Sequence, residues 1–240
     1  MITLMPQLKK NAITIRLRVV KTEEDWERAL EVRWQGYGKY VYNGGCKYDL
    51  LDELDFAPNS SVCIAEDENG NALGTARYLD RRYGKIELDK FIDVDKLLPA
   101  QRGICVEGTR FSIPRHPNSP LIKFAFWKSL YIYCLQNGID KAICSVRARG
   151  ARDYQRLQWD YMGEAGIYYH KFLAGKEHHT YTWDIPRVED RIRDTQHPFY
   201  EYLRDACSPL LNKADLIIQN TPYNGCSFGS QKHHKIFAAQ

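Results

Sequence analysis

An acid and a base lie three residues apart in an otherwise apolar run of this chain. Residues 103–113 read Gly-Ile-Cys-Val-Glu-Gly-Thr-Arg-Phe-Ser-Ile, which places Glu107 and Arg110 among the β-branched and aromatic residues typical of a strand. An unpaired buried charge is very costly, so each side chain must pair, bind a ligand or take part in chemistry. A partly buried carboxylate is a candidate general base. The alternative is a structural ion pair between the two residues.

Basic residues gather in two places along the chain, although its formal net charge is only +4. Residues 81–85 read Arg-Arg-Tyr-Gly-Lys, and a second group consists of Arg147, Arg149, Arg152 and Arg156. Such groups predict contact with an acidic partner, and the alternative is an ordinary solvated surface. No zinc finger, helix-turn-helix or RNA-binding aromatic strand accompanies them, so nucleic acid is not predicted as a partner.

The cysteine content is typical of a reducing compartment. The seven cysteines form no C-x-x-C pair, which argues against a disulfide framework and a thiolate metal site. The histidine pairs at 178–179 and 233–234 lack further ligands at metal-like spacing and are predicted to be solvated loop residues. Residues 1–10 lack the apolar stretch of a secretory signal, and no window approaches the roughly 18 apolar residues of a membrane span. We expect a cytoplasmic protein without a metal site or a transmembrane segment; the sequence does not indicate its oligomeric state.

Hydrophobic periodicity predicts that strands and helices alternate. Residues 13–20 alternate between apolar and polar, and Thr22 is the predicted N-cap of a helix that continues through Val32. A loop-rich connector follows at 43–61 and carries three aspartates. The other predicted strands are residues 62–65, 72–79, 103–113, 141–146, 168–173 and 180–185.

Two helices are predicted in the second half of the chain. Residues 121–136 are apolar on nearly every face and indicate a buried helix. A second helix is predicted at 151–162, with Gly163 as its C-cap. The hydrophobic pattern weakens after Pro186, where only a short helix at 197–207 is predicted.

We expect one main domain and a tail. The predicted domain spans residues 1–185. Residues 186–240 form a C-terminal extension that packs on the domain or is partly disordered, with 220–240 rich in Gly, Asn, Ser and His.

This order of elements resembles the GCN5-related N-acetyltransferase fold, a three-layer α/β (α+β) sandwich with a mostly antiparallel, splayed central sheet flanked by helices. Residues 74–79, Gly-Thr-Ala-Arg-Tyr-Leu, resemble a G-x-x-R strand of its acyl-transferring branch. Residues 107–111, Glu-Gly-Thr-Arg-Phe, resemble the E-x-S-R-F strand of acyl-homoserine-lactone synthases. The resemblance covers roughly residues 15 to 185. The relatives it suggests are the N-acyl amino acid synthases, which share the fold of the lactone synthases.

The resemblance implies transfer of a long acyl chain from a thioester to the α-amine of an amino acid. Glu107 is the candidate general base, acting directly or through a water molecule. Cys105 beside it raises the alternative of a thioester intermediate, which requires an activating histidine nearby. A buried cysteine more often serves as a small apolar residue.

The resemblance also implies an acceptor site of arginines and acids. Its candidate residues are Arg33, Asp52, Asp55, Arg77 and Arg110. A guanidinium matches a carboxylate in two-point contact, so Arg77 and Arg110 would bind the acceptor's carboxylate or organise the acids. Asp52 and Asp55, together with Asp49, also fit an exposed helical turn or N-caps, and the arginines also fit structural roles.

The stretch that follows the Glu107 segment departs from the acetyl-coenzyme A users of this fold. Those proteins have a glycine-containing turn whose N–H groups bind a pyrophosphate. Residues 112–121, Ser-Ile-Pro-Arg-His-Pro-Asn-Ser-Pro-Leu, contain no glycine and three prolines that lack the N–H donor. The expected co-substrate is therefore acyl-phosphopantetheine on acyl carrier protein, with acyl-coenzyme A as the alternative, and no bound cofactor. The candidate donor and carrier residues are Phe111, Ile113, Arg115, Arg147, Arg149 and Arg152.

Three other functions remain open at this point. The nearest is an acyl-homoserine-lactone synthase that uses S-adenosylmethionine, and the next is a coenzyme A-dependent N-acetyltransferase. The third is a non-catalytic module that binds acyl chains or the carrier protein. Loss of turnover on Glu107→Gln separates an enzyme from such a module.

Overall fold

The computed structural model describes residues 15–40, 45–99, 104–197 and 199–204. A central eight-stranded sheet lies between two layers of helices and turns, which confirms the expected α/β sandwich. The strands are β1 (Arg16–Val19), β2 (Ser60–Glu66), β3 (Ala72–Asp80), β4 (Cys105–Ser112), β5 (Lys141–Arg147), β6 (Asp160–Tyr161), β7 (Ile167–His170) and β8 (Lys176–Asp184). The helices are α1 (Glu23–Tyr37), α2 (Val94–Leu97), α3 (Ser119–Asn137), α4 (Ala151–Arg156), α5 (Ile185–Asp194) and α6 (Phe199–Arg204).

The sheet is antiparallel except at its centre. Its strand order is β1-β2-β3-β4-β5-β8-β6, and β7 also pairs with β8. The central strands β4 and β5 are parallel, because α3 crosses over between them. They are paired only from Cys105 with Lys141 to Gly108 with Cys144. Beyond these pairs the two strands continue without pairing to each other, β4 through residues 109–112 and β5 through residues 145–147. We call this opening the strand split.

The first face of the sheet is covered by α1 and short 3-10 turns. Thr22 caps α1 as predicted: its hydroxyl accepts from Asp25 N, and the Asp25 carboxylate accepts from Thr22 N. Trp26, Ala29 and Leu30 recur at helical spacing and are buried. About one turn further along, α1 brings Arg33 onto the same buried face, where it is fully inaccessible to solvent.

The second face is covered by α3, α5 and α6. Helix α3 is buried along most of its length and ends at Gly138, whose φ of 60° forms the left-handed C-cap. Helix α5 contributes Ile185, Val188 and Ile192 to the same core as α3. The sequence analysis did not predict this helix. The predicted division of the chain at residue 185 stays a prediction, and 220–240 lie outside the described residues.

The predicted helix at 151–162 is wrong in its second half. Helix α4 ends at Arg156, Gln158 adopts a left-handed φ of 62°, and the chain then enters β6. This turn allows the Trp159 ring to stack on Trp183 with centroids 5.0 Å apart, and burial of that large aromatic surface outweighs helix continuation. Gly163, predicted as a C-cap, instead precedes a 3-10 turn at a φ of 68°.

Candidate active site

Glu107 lies at the point where β4 and β5 separate. Its side chain is 1% exposed, and its carboxyl oxygen accepts hydrogen bonds from the backbone N–H groups of Glu87 (2.6 Å) and Leu88 (3.2 Å). Burial, followed by the negative charge of Glu87, raises the pKa of Glu107 to about 8. Glu107 makes no ion pair with Arg110, so the structural ion pair considered from the sequence is wrong.

Glu87 is the centre of the neighbouring ionic cluster. One of its oxygens accepts from the Arg77 guanidinium (2.9 Å) and the Thr109 hydroxyl, and the other contacts Arg110 (3.0 Å) and His170 Nε2 (3.4 Å). Burial alone would raise the pKa of Glu87, but Arg110, His170 and Arg77 outweigh it and hold the pKa well below its usual value. Glu87 is therefore the ionised member of a carboxyl pair whose other member, Glu107, favours the protonated form.

The two predicted aspartates complete the cluster. Asp55 makes a two-point ion pair with Arg33, with both N–O distances at 2.8 Å, and a further contact with Arg77 at 3.0 Å. Asp52 contacts Arg77 (2.5 Å) and Arg110 (2.7 Å). Despite its burial, Asp55 has a pKa of about 2 because Arg33 and Arg77 stabilise the carboxylate.

A 3-10 turn and a β-bulge position the side chains of the ionic cluster. Asp52 and Asp55 form a capping box on the 3-10 turn Glu53–Asp55, so each holds a turn and pairs with an arginine. The N-cap alternative is thus confirmed, whereas the exposed-turn alternative is wrong for the buried Asp55. Strand β4 contains a bulge: two of its residues, Arg110 and Phe111, lie opposite the single residue Ala76 of β3. Arg110 has a left-handed φ of 53°. This bulge lets the consecutive side chains of Thr109 and Arg110 both reach Glu87.

The first face of the strand split carries aromatic and cationic side chains. The hydroxyl of Tyr37, at the end of α1, donates to the backbone oxygen of Phe111 at 2.5 Å. The guanidinium of Arg147, at the end of β5, donates to the Tyr40 hydroxyl and lies 5.2 Å from its ring centroid. Ser145, two residues earlier, shares a 2.5 Å hydrogen bond with the Tyr168 hydroxyl.

The second face of the strand split is apolar. The Phe111 ring packs on Phe126 and Trp127, with centroid distances of 5.0 and 6.5 Å. Ile113 packs on the same core cluster, and Tyr154 meets the edge of Trp127 at 5.5 Å. The split therefore separates a polar, charged surface from an apolar one.

The segment between β4 and α3 uses its own N–H groups. His116 N donates to Ser119 Oγ, Asn118 N to His116 Nδ1, and Ser119 N to the backbone oxygen of His116. The prolines at 114, 117 and 120 supply no donor. These three N–H groups and the three proline positions therefore offer no donor to a pyrophosphate.

The site thus combines two neighbouring carboxyl groups at a parallel strand split with an apolar cleft on the other face of the sheet. A family model, that of the N-acyl amino acid synthase FeeM, matches residues 33–172, which is more than half of the chain. The chain belongs to the FeeM family. It is an acyltransferase. A search of curated protein sequences found no significant match.

Solved structures of two acyl-transferring enzymes share the fold. The N-acyl amino acid synthase FeeM from uncultured soil microbes has a TM-score of 0.59 at 15% identity, covering 78% of this chain and 99% of the other. A coenzyme A-dependent acyl-homoserine lactone synthase, BjaI, with S-adenosylmethionine and isopentyl-coenzyme A has a TM-score of 0.54 at 13% identity, covering 84% of this chain and 93% of the other.

In this FeeM-family chain, all five predicted acceptor-site residues meet in the ionic cluster, and Glu107 adjoins it through Glu87. The predicted donor residues lie elsewhere. Phe111 and Ile113 face the apolar cleft, whereas Arg115, Arg149 and Arg152 are exposed beyond the ends of β4 and β5. Arg147 occupies an intermediate position at the strand split.

The sequence analysis missed Glu87 and His170. Glu87 lies between Ile86 and Leu88 in a short 3-10 turn, and the apolar residues on either side were its one local signal of burial. His170, in β7, is 5% exposed and reaches Glu87 from a distant part of the chain. Neither residue belongs to a motif quoted from the sequence.

Two expectations about nucleophiles and histidines change in the structure. Burial raises the pKa of the Cys105 thiol to about 12, so the thioester-intermediate alternative has no activated nucleophile. His178 was expected in a solvated loop, but it is a buried residue of β8 because it packs on Tyr168 and His170. The pair at 233–234 lies outside the described residues.

Two classes of feature are absent from the part of the chain that the structure describes. Its histidines, cysteines and acids form no group of three or more suited to hold a metal ion. None of its helices combines the length and hydrophobicity needed to cross a bilayer.

Proposed function

We propose that this protein is an N-acyl amino acid synthase that transfers a long-chain acyl group from acyl carrier protein to the α-amine of an amino acid. The observation that carries the proposal is Glu107, a buried carboxyl at the strand split with a pKa of about 8. Near neutral pH such a group exchanges protons readily, which is the property required of a general base.

The reaction follows from this placement. The acceptor enters as an ammonium ion and loses one proton to ionised Glu107. The neutral amine then attacks the thioester carbonyl carbon, the new C–N bond forms, and the C–S bond breaks. A second amine proton passes to the departing thiolate, and Glu107 releases its proton to solvent. The ion pairs of the Glu87 side chain fix the position of its 3-10 turn. The backbone N–H groups of Glu87 and Leu88 in that turn orient the Glu107 carboxyl.

The donor is assigned from the segment after β4. The N–H groups of His116, Asn118 and Ser119 bond within the segment, and its three prolines have none, which supports a donor recognised without a pyrophosphate. The acyl chain would lie along the apolar side of the split, at Phe111 and Ile113. The exposed residues Arg115, Arg149 and Arg152 would contact the acidic carrier protein.

A cytoplasmic location is part of the same proposal. Such a location provides the carrier-bound donor. It also fits five described cysteines that are all free thiols. They are Cys46, Cys63, Cys105, Cys134 and Cys144.

The deciding experiment incubates the full-length protein with palmitoyl carrier protein and a pool of amino acids, followed by mass spectrometry for acyl amino acids. Palmitoyl-coenzyme A at the same concentration serves as the second donor. We expect an acyl amino acid, formed faster from the carrier protein. Glu107→Gln keeps an oxygen for the two N–H groups and should lose most of the turnover.

Other outcomes assign other functions. Equal or faster reaction with palmitoyl-coenzyme A would reject the donor assignment. Formation of a homoserine lactone and methylthioadenosine from S-adenosylmethionine would identify the lactone synthase instead. No product with any acceptor, together with retained acyl-chain binding by Glu107→Gln, would reject the enzyme and support a binding module.

A further inference from the structure

The arginines first considered for the acceptor's carboxylate are already neutralised. Arg33 and Arg77 have no exposed side-chain surface, and each contacts at least one carboxylate at 3.0 Å or less. Arg110 is 10% exposed and contacts both Asp52 and Glu87. An added carboxylate would meet guanidiniums whose charge is already balanced, and it would be repelled by the carboxylates that they contact.

The charge balance of the cluster leads to the same conclusion. Three guanidiniums face three carboxylates, those of Asp52, Asp55 and Glu87, while Glu107 favours its protonated form. The cluster is then electrically balanced before the acceptor arrives. Its three arginines therefore carry no positive charge beyond that of the three carboxylates they contact.

Arg147 differs from these arginines in its contact partners and in its burial. Its guanidinium contacts the Tyr40 hydroxyl and ring, and no carboxylate of the described residues forms an ion pair with it. It is only partly buried, at the open end of β5. A guanidinium held by one aromatic ring keeps most of its N–H donors available for an anion.

Arg147 also lies on the same face of the sheet as Glu107. Glu107 pairs with Ile143, and alternate residues of a strand share a face, so Ser145 and Arg147 follow Ile143 on the Glu107 side. The positive charges of Arg110 and Arg147 both act on Tyr37, whose pKa burial raises. Tyr37 is thus within electrostatic range of both the balanced cluster and Arg147.

His178 marks the other border of this space. Burial, together with nearby His170 and Arg147, lowers the pKa of His178 to about 4, so its imidazole is neutral near pH 7. The same ring is within range of the Glu87 charge. Among the described residues, this surface of the strand split therefore carries Glu107, which can accept a proton, at one end and Arg147, a guanidinium without a carboxylate partner, at the other.

We propose that Arg147 binds the α-carboxylate of the acceptor amino acid, while Glu107 faces its α-amine. This proposal rests on the proposed function and replaces the carrier-binding role that the sequence analysis gave to Arg147. Two oppositely charged groups, one at each end of the space, select an acceptor that carries both an ammonium and a carboxylate. An amine without the carboxylate should be a poor acceptor.

The test compares Arg147→Gln with the matched control Arg187→Gln, which removes an exposed arginine of α5 on the second face of the sheet. Each protein is assayed with the best amino acid acceptor, with its carboxamide and with the acyl donor varied. We expect Arg147→Gln to raise KM for the amino acid at least tenfold, leave KM for the carboxamide within twofold, and leave KM for the donor unchanged. Arg187→Gln should leave the KM values for amino acid, carboxamide and donor unchanged. Arg147→Lys, which keeps the charge, should recover part of the affinity.

The outcomes separate this inference from the proposed function. If the wild-type protein makes acyl amino acids but Arg147→Gln weakens amino acid and carboxamide equally, or raises KM only for the donor, the carboxylate role is wrong and the synthase remains. A donor-only effect would assign Arg147 to the phosphate of the phosphopantetheine. If the wild-type protein acylates no amino acid, both proposals fall. Matching melting temperatures exclude misfolding as the cause of any change.

Discussion

At the scale of single residues, two neighbouring carboxyl groups have opposite protonation preferences. Both Glu87 and Glu107 are almost inaccessible to solvent, and burial alone would raise both pKa values. Arginine and histidine contacts reverse the effect for Glu87, whereas Glu107 receives only two backbone N–H bonds and the repulsion of Glu87. The cluster thus fixes one acid as an anion and leaves the other to exchange its proton.

Glu107→Gln should change the pH dependence of both rate and stability. The wild-type rate should rise between pH 6 and 9 as Glu107 ionises, and the variant should be about 10² to 10⁴ times slower at pH 8.

Folded Glu107 has a pKa above its unfolded value of 4.5, so its contribution to stability is complete below pH 4.5 and is lost as pH rises through 8.

Urea unfolding at pH 5 and pH 9 measures the second effect. The two proteins should have similar stability at pH 5, where wild-type Glu107 is protonated like the amide. At pH 9 the glutamine variant should be the more stable one. A wild-type rate that is flat between pH 6 and 9 would remove Glu107 from the role of base.

At the scale of elements, the contact between α1 and β4 positions the site. Helix α1 supplies Arg33 and Tyr37, and Ser112 of β4 donates a hydrogen bond to the backbone oxygen of Val32. A Cβ atom on Gly36 would come within 2.2 Å of Ser112 Oγ. The helix can approach the strand this closely only with glycine at position 36.

Gly36→Ala should therefore separate α1 from β4. We expect a loss of about 1 to 3 kcal/mol in the free energy of unfolding and a lower kcat, because Arg33 and Tyr37 shift with the helix. Ser112→Ala removes the clashing hydroxyl and leaves its Cβ 3.3 Å away. The double variant should regain most of the stability, and thermal unfolding of the four proteins measures the coupling. Additive losses would contradict the proposed contact.

At the scale of the whole molecule, the two basic groups lie at opposite ends of the sheet and differ in their partners. The group at 81–85 lies beside the start of β4, where Arg81 pairs with Asp89 and Asp95 and Arg82 pairs with Asp80. Arg149 and Arg152 lie past the end of β5 and are exposed, as is Arg115 past the end of β4. Unpaired positive charge is thus concentrated at the end where the strand split opens.

Replacing Arg115, Arg149 and Arg152 together by glutamine should weaken the carrier protein selectively. We expect KM for the acylated carrier to rise about tenfold in low salt, because steering by unpaired surface charges is lost. KM for the amino acid should not change. In 0.5 M salt the difference should shrink, since exposed charges are screened. Lys85→Gln, at the opposite end of the sheet, is the control. Equal effects of the triple variant and this control would argue against docking at the open end.

Much of the fold, and fewer of the contacts, could be predicted from the sequence. The alternating and apolar runs predicted β4 and α3, and the resemblance to a known family selected Arg77 and Arg110. Which acid meets which arginine depends on the bulge at Arg110, a left-handed residue with no glycine to signal it. Glu87 was missed because a short 3-10 turn has no hydrophobic period to place it.

The site is assembled from parts that are far apart in the chain. Tyr37 bonds to a residue 74 positions later, and Arg147 bonds to Tyr40 across 107 positions. Contacts with such long sequence separation close late in folding, because the intervening loops must first be ordered. During synthesis, β4 and β5, the two strands that border the split, are both present only once the chain has been made through Arg147. His170 of β7 is the last-synthesised of the side chains that contact Glu87, so the cluster can be complete only after β7 has been made.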